Sequence, residues 1–287
     1  MIIKNIVINK DKRFSHLGAL PQPVRELFYR GEPLEELISK PLVAIVGSRK
    51  VSQYGRHVTA SLATELAKAG VVIVSGLALG VDSIAHQAAL DAGGTTIAIL
   101  PCGIDKVYPS SHFHLANRIL QQGGALVSEY PPGSDSPMKY QFIARNRIIA
   151  GLSLGVVITE AAQNSGSLHT AEFALEQGKE VFAVPGNITS ATSSGTNNLI
   201  KNGAVPVTEV SDIYNVLGIS AEATRDLYKP KTKHEAIILR LISQDYGNTE
   251  ILQLKSSIDP INFNMTLTEL ELNGVIAQTS SGKWIMA

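Results

Sequence analysis

The sequence predicts an α/β protein, a doubly wound and largely parallel sheet followed by a small C-terminal winged-helix domain, and three observations carry that prediction. Short runs rich in β-branched residues recur at Leu42 to Val46, Val71 to Val74, Thr96 to Leu100, Ala125 to Val127, Val156 to Thr159, Val181 to Val184 and Ala204 to Val207, most of them separated by helical segments. Each run is nearly continuous in its apolarity, the pattern of a strand covered on both faces. After about Tyr214 the character changes to short amphipathic helices closed by a hairpin. The chain has 287 residues, 44% hydrophobic and 17% charged, enough to bury a substantial core and to hold one large domain plus something small.

Residues 1–40 carry Pro21, Pro23, Gly31 and Pro33 around Leu27, Phe28, Leu34 and Leu37, a compact lead-in packed on the main domain and too short for a core of its own. The main domain spans 41–219. Its first helix, from about Gly55 to Ala69, sets Val58, Leu62 and Leu66 on one stripe and ends at Gly70, the expected left-handed terminal residue. Residues 220–233, with Lys229-Pro230-Lys231, read as a linker. In 234–287, helices are expected over His234 to Gln244, Asn248 to Ser257 and Asn264 to Asn273. Two strands then flank the turn Ser280-Ser281-Gly282-Lys283. Three helices closed by a hairpin suggest a winged helix, although its third helix has few basic residues and such modules dock proteins as well as DNA.

Lysine plus arginine and aspartate plus glutamate number 25 each, so net charge gives no argument for a nucleic-acid partner. Arg49, Lys50, Arg56, Lys139, Arg145 and Arg147 fall near motif loops, which is either a local patch or an ordinary mixed surface. The one cysteine, Cys102, excludes an intrachain disulfide and a thiolate metal cage and reads as a packed side chain. Lysines and asparagines interrupt the first residues before a signal peptide could form, and no apolar stretch approaches membrane-spanning length, so a soluble cytoplasmic protein is expected.

In an open parallel sheet, ligands bind at the carboxyl ends of the strands. Arg145-Asn146-Arg147 places two guanidinium groups around an amide just before an apolar strand, and beyond that strand Ser165-Gly166-Ser167 opens a helix, so cationic forks and backbone N–H groups can converge on one anion. Gly47-Ser48-Arg49, with Ser52 and Gly55, ends the first strand in the same style. This is neither a dinucleotide fingerprint nor a Walker loop, and Ser75-Gly76 stands where a dinucleotide fold would put an acid for the ribose. Asp82 and His86 lie one helical turn apart and read as a capping aspartate near a surface histidine, with no third metal ligand evident. Glu129 and Glu160, at strand ends, are either a hydrolytic pair or, as favoured, the partners that hold Arg145 and Arg147. Tyr108, Tyr140 and Phe142 are base-stacking platforms or core. Nothing here specifies a catalytic residue, a metal or a cofactor.

Taken together, the segments VAIVGSRKVSQYG, VVIVSGLALGVDSIAHQAAL, GGTTIAILPCGIDKVYPSS, SEYPPG, RNRIIAGLS, EAAQNSGSLHTAEFALEQGKEVFAVPG and GTNNLIKNGA resemble, in order, those of the DNA-processing protein A family, over about residues 41 to 207. The resemblance implies an extended Rossmann-like domain that binds single-stranded DNA, forms a homodimer and hands the strand to the recombinase RecA during natural transformation, without catalytic activity. Carried onto this sequence, the pocket would use Gly47, Ser48, Arg49, Lys139, Phe142, Arg145, Asn146, Arg147, Ser165, Gly166 and Ser167. The dimer surface would lie near Leu199, Ile200 and, on the following strand, Val205. His112 replaces a frequent asparagine, and any function of the sterile-alpha-motif-like N-terminal domain of some members is not expected of this sequence. The alternative is a nucleotide phosphoribohydrolase of the lysine-decarboxylase-like type, which shares a similar sheet and would need Glu172. A purely structural adaptor would leave the arginine-rich pocket unexplained.

Overall fold

The computed structural model describes residues 2–219, 230, 232–244, 246–279 and 282–286, so most of the expected linker and Ser280 and Ser281 of the hairpin turn lie outside the described residues. The chain divides into two units, Met1–Arg225 and Asp226–Ala287.

In the first unit the strands are β1 (Lys4–Val7), β2 (Glu26–Gly31), β3 (Leu42–Val46), β4 (Val72–Ser75), β5 (Thr96–Leu100), β6 (Ala125–Ser128), β7 (Gly155–Ile158), β8 (Glu180–Ala183) and β9 (Val205–Pro206). They form one sheet in the order β1-β2-β6-β5-β4-β3-β7-β8-β9, parallel from β6 to β9. Its helices are α1 (Ser15–Gly18), α2 (Leu34–Leu37), α3 (Gln53–Lys68), α4 (Val81–Asp91), α5 (Phe113–Gln121), α6 (Lys139–Leu152), α7 (Leu168–Glu176), α8 (Ser194–Lys201) and α9 (Val210–Leu217).

Alternate residues of each strand feed cores on opposite faces. Leu42, Ala44 and Val46 of β3 pack with Ile148 and Ile149 of α6 and Ala171 of α7, whereas Val43 and Ile45 pack with Leu62 and Leu66 of α3 and Val81 and Ala85 of α4. Each such aliphatic side chain contributes roughly 1.5–3 kcal/mol on burial, which is why these runs are apolar throughout. Helix α3 starts two residues earlier than its apolar stripe predicts, because the Ser52 hydroxyl accepts the Gly55 N–H at 3.0 Å and caps the first turn. The helix ends ahead of Gly70, at φ +74°.

The lead-in does more than pack on the domain. β2 pairs antiparallel with β6, and β1 with β2, so residues 1–40 extend the sheet at one edge. The register needs glycine at position 31, where φ is +109° and a side chain would run into the Gly124 carbonyl.

The order of strands fixes where a ligand can sit. From β3 the chain proceeds outward through β4, β5 and β6, then returns to β3's other side and continues through β7, β8 and β9. The crevice between the carboxyl ends of β3 and β7 is therefore the topological switch point.

The second unit contains helices Lys233–Ser243, Thr249–Ser256 and Pro260–Leu272 and the antiparallel pair β10 (Ile276–Gln278) and β11 (Trp284–Met286). Each helix begins at a side-chain cap, Thr232, Asn248 or Asp259. The third starts four residues before its expected position because Asp259-Pro260 supplies both a cap and a proline at the first turn. Ile238, Leu252, Phe263, Leu270, Ile276 and Trp284 form the core, and the Trp284 indole donates to Thr249 Oγ1 at 3.0 Å. Among the described residues no helix is long and apolar enough to cross a membrane.

Candidate nucleic-acid interface

At the switch point lies a depression of about 1130 Å³. The loop after β3 contributes Gly47 to Lys50, the loop after β7 contributes Ala162 to Ser167, α6 contributes Lys139, Phe142, Arg145 and Asn146, and Thr192 of the turn before α8 and Ser194 at the start of α8 complete it. Apart from Arg147, every residue expected in the pocket lines it.

The cationic rim is built on Arg49. Its side chain is exposed, and its guanidinium carbon stands 5.3 Å from the centre of the Phe142 ring, within cation–π range. Tyr108 meets Phe142 edge-on at 5.2 Å, so cation and two aromatic rings form a continuous row. Lys50 and Lys139 are exposed nearby. Ser48 serves the loop itself: its N–H donates to the Glu160 carbonyl at 2.7 Å, and its hydroxyl donates to Lys50 O and accepts the Lys50 N–H.

The turn before α7 lines the same depression. Ser165 and Ser167 hydroxyls lie 2.8 Å apart, and the Ser165 carbonyl accepts the Leu168 N–H. Among the described residues the Gly166 N–H has no acceptor, and a side chain added at Gly166 would meet nothing within 4 Å. Asn146 holds this turn from below, donating Nδ2 to the Gly166 carbonyl at 3.3 Å while accepting Arg145 Nε at 3.2 Å.

Arg145 and Arg147 do not converge on one anion. Both are 5% exposed, and on α6 two residues apart they point about 200° away from each other. The Arg145 Nη1 donates to the Gly76 carbonyl at 2.7 Å and to Ile99 O. Burial pulls its pKa down to about 10, which leaves it charged at neutral pH, and Asp82 opposes that pull. Asp82 accepts the N–H groups of Gly76 and Ala78, and burial raises its pKa against the pull of Arg145. Arg147 donates to the carbonyls of Gln22 and Ala144 and to Glu129 Oε1 at 2.6 Å, joining the lead-in to α6.

Other expectations change with burial. Glu129 holds Arg147 through one oxygen only, and Glu160 holds no arginine; its Oε2 accepts the Ser52 N–H at 2.7 Å and secures the entry to α3. Asp82 caps the loop before its own helix, not the helix. His86 is fully buried, with Nδ1 2.6 Å from Thr96 Oγ1, and desolvation drives its pKa down to about 3, so it is neutral. Cys102 is packed among Leu100, Ile104 and Leu126. Glu172 does not line the depression; it pairs with His169 at 2.9 Å. Among the described residues no cluster of three histidines, cysteines or acids could hold a metal ion.

Residues 5–218 match the family model described as DNA recombination-mediator protein A. The chain belongs to this family. It is 42% identical over 265 residues to Protein Smf of Escherichia coli, covering 89% of this chain and 70% of that one. It is 46% identical over 191 residues to the DNA processing protein DprA of Streptococcus pneumoniae, covering 65% and 64%. Among solved structures, DprA from Streptococcus pneumoniae superposes with a TM-score of 0.68 at 41% identity, covering 74% of each chain. DNA processing protein A from Helicobacter pylori, solved for its single-stranded DNA binding mode, superposes with a TM-score of 0.66 at 36% identity, covering 75% of this chain and 95% of that one.

A side chain at Gly47 would lie 2.7 Å from the Glu160 carbonyl and 2.7 Å from Val81 Cγ2, so packing alone requires glycine here. Gly47→Val is expected to lower stability by about 1–3 kcal/mol, the usual cost of overpacking. Gly166→Val should melt like the parent protein yet weaken an anion held on the Gly166 N–H. Thermal melts of the two variants check the contrast, and equal melting temperatures would refute it. The polar residues Thr192 and Ser194 were missed in the sequence, where only the small-residue run Ser190-Ala191-Thr192-Ser193-Ser194 hints at them.

Proposed function

We propose that this depression binds single-stranded DNA, sequence-independently, and that the protein acts in the cytoplasm, passing the strand to the recombinase RecA during natural transformation. The observation that carries the reading is Arg49 against the Phe142 ring, with Tyr108 edge-on to that ring, and the Gly166 turn lining the same depression as Arg49 and Phe142. A cation for the phosphate, π-faces for the bases and a backbone donor are what sequence-tolerant strand binding requires. The single-stranded DNA binding mode of the Helicobacter pylori relative supports it. The site binds without turnover in this reading. Incubation with labelled oligo-dT and with a panel of nucleoside monophosphates tests it: anisotropy should rise on the oligonucleotide and no free base should appear. Turnover without strand binding would instead favour the phosphoribohydrolase, a reading weakened by Glu172 standing outside the depression.

The protein further acts as a homodimer, its two-fold contact made by Leu199 and Ile200 of α8 and Val205 of β9. β9 is a two-residue strand at the open edge of the sheet, and Leu175 of α7 is 62% exposed. Leu199 already packs partly against the core, so Ile200→Glu is the cleaner probe. Ile200→Glu should give a folded monomer by light scattering with weaker strand binding. A wild type that is monomeric at tens of micromolar, about where weak specific dimers form, would overturn this contact. We read the second unit as a winged helix.

A further inference from the structure

The third helix of the second unit, Pro260–Leu272, has two different apolar faces. Phe263, Thr266, Leu267 and Leu270 are buried in the unit's own core. On the other side Ile261, Met265 and Leu272 are 74%, 57% and 82% exposed. Single exposed apolar residues are ordinary, but these three, with exposed Thr268, recur at intervals of four, three and four, which aligns them into one seam along the solvent side. Such a seam is the spacing at which one helix receives another.

The flanks of the seam carry Glu269 on one side and Glu271 on the other, and the helix contains no lysine or arginine. Asp259 stands at its N-terminus, and Lys255 is engaged with the Tyr246 ring at 4.2 Å. A face that read DNA would present cations to phosphates; this one would repel them. A second copy of the helix is a poor occupant too. Its flanks carry Asn262, Asn264, Glu269 and Glu271 and no cation, so neither orientation offers the glutamates an opposite charge, and the seam is only four residues deep.

We infer that the exposed seam of Pro260–Leu272 is a docking surface for a partner protein's amphipathic helix, one with an apolar stripe of matching spacing and lysine or arginine along both flanks. The apolar stripe would supply the contact, and Glu269 and Glu271 would choose the partner by charge.

The test uses the full chain and a fluorescent synthetic helix with leucines at the seam's spacing and lysines on both flanks. Binding is expected at a Kd on the order of 10–100 μM. The same helix with glutamates on the flanks should bind more than about tenfold more weakly, and Met265→Glu and Leu272→Glu should each weaken the lysine helix by a similar factor. Both positions face solvent, so melting should stay unchanged. The inference is overturned if the two helices bind alike, if neither variant matters, if Met265→Glu abolishes a self-association seen by sedimentation, or if it weakens binding to duplex DNA.

Discussion

Arg145→Met should destabilise the first unit by about 2–6 kcal/mol, because it leaves two buried carbonyls, Gly76 and Ile99, without their donor at about 1–3 kcal/mol each. The Gly76 peptide explains why the effect is large: its carbonyl accepts Arg145 Nη1 and its N–H donates to Asp82 Oδ2, so one peptide ties both charges to the loop after β4. Methionine fills much of the volume but leaves the Gly76 and Ile99 carbonyls without a donor and removes the cation whose field acts on the buried Asp82. It also releases Asn146, which holds the Gly166 turn. Asp82→Asn in the same chain should recover part of the loss, because Arg145 acts on Asp82 through its charge and the amide carries none for it to offset. Urea unfolding of the two single variants and the double variant measures this coupling. A loss below about 1 kcal/mol in Arg145→Met, within the range of an exposed ion pair, would make Arg145 a ligand for DNA and not a scaffold for it.

The parallel core was legible because each of its strands is covered on both faces, leaving continuous apolar runs with nothing else to mean. β1 escaped the same reading because only Ile6 of its four residues is buried, so no periodicity survives. The candidate depression lies at the carboxyl ends of strands, where the sequence predicts a ligand, but the switch point itself comes from the strand order, which the alternation of helices and strands does not fix. What could not be read was the division of labour among the arginines. A guanidinium carries five donors and serves carbonyls, carboxylates and phosphates alike, so Arg49 and Arg145 look the same in a sequence. Helical placement of Arg145-Asn146-Arg147 decides it: neighbours at alternate positions face apart, and the amide between them is left to reach the turn. Glu160 was misassigned for a related reason, because its partner is a backbone N–H, which no side-chain pattern announces.

Arg49→Ala is expected to cost about 1.5–3 kcal/mol of single-strand affinity, the range for hydrogen bonds to a charged group, with no change in melting. The contrast with Arg145 follows from exposure: among the described residues no carboxylate lies within ion-pair distance of Arg49, so its removal leaves no buried charge behind. Salt dependence separates its role from mere folding. With Arg49, Lys50 and Lys139 at the rim, roughly three phosphates are neutralised, and each contributes about −0.7 to the log–log slope, giving a value near −2 for the parent protein. Arg49→Ala should flatten that slope by about 0.7 and Arg49→Glu should weaken binding further, since it adds repulsion to the lost contact. Phe142→Ala should weaken binding by about 1–3 kcal/mol without altering the slope, because a lost stacking face releases no counterion. Anisotropy titrations of labelled oligo-dT over a series of salt concentrations give both quantities at once. If Arg49→Ala leaves the slope unchanged, the phosphate is held elsewhere, and the row of Arg49, Phe142 and Tyr108 is not the path of the strand.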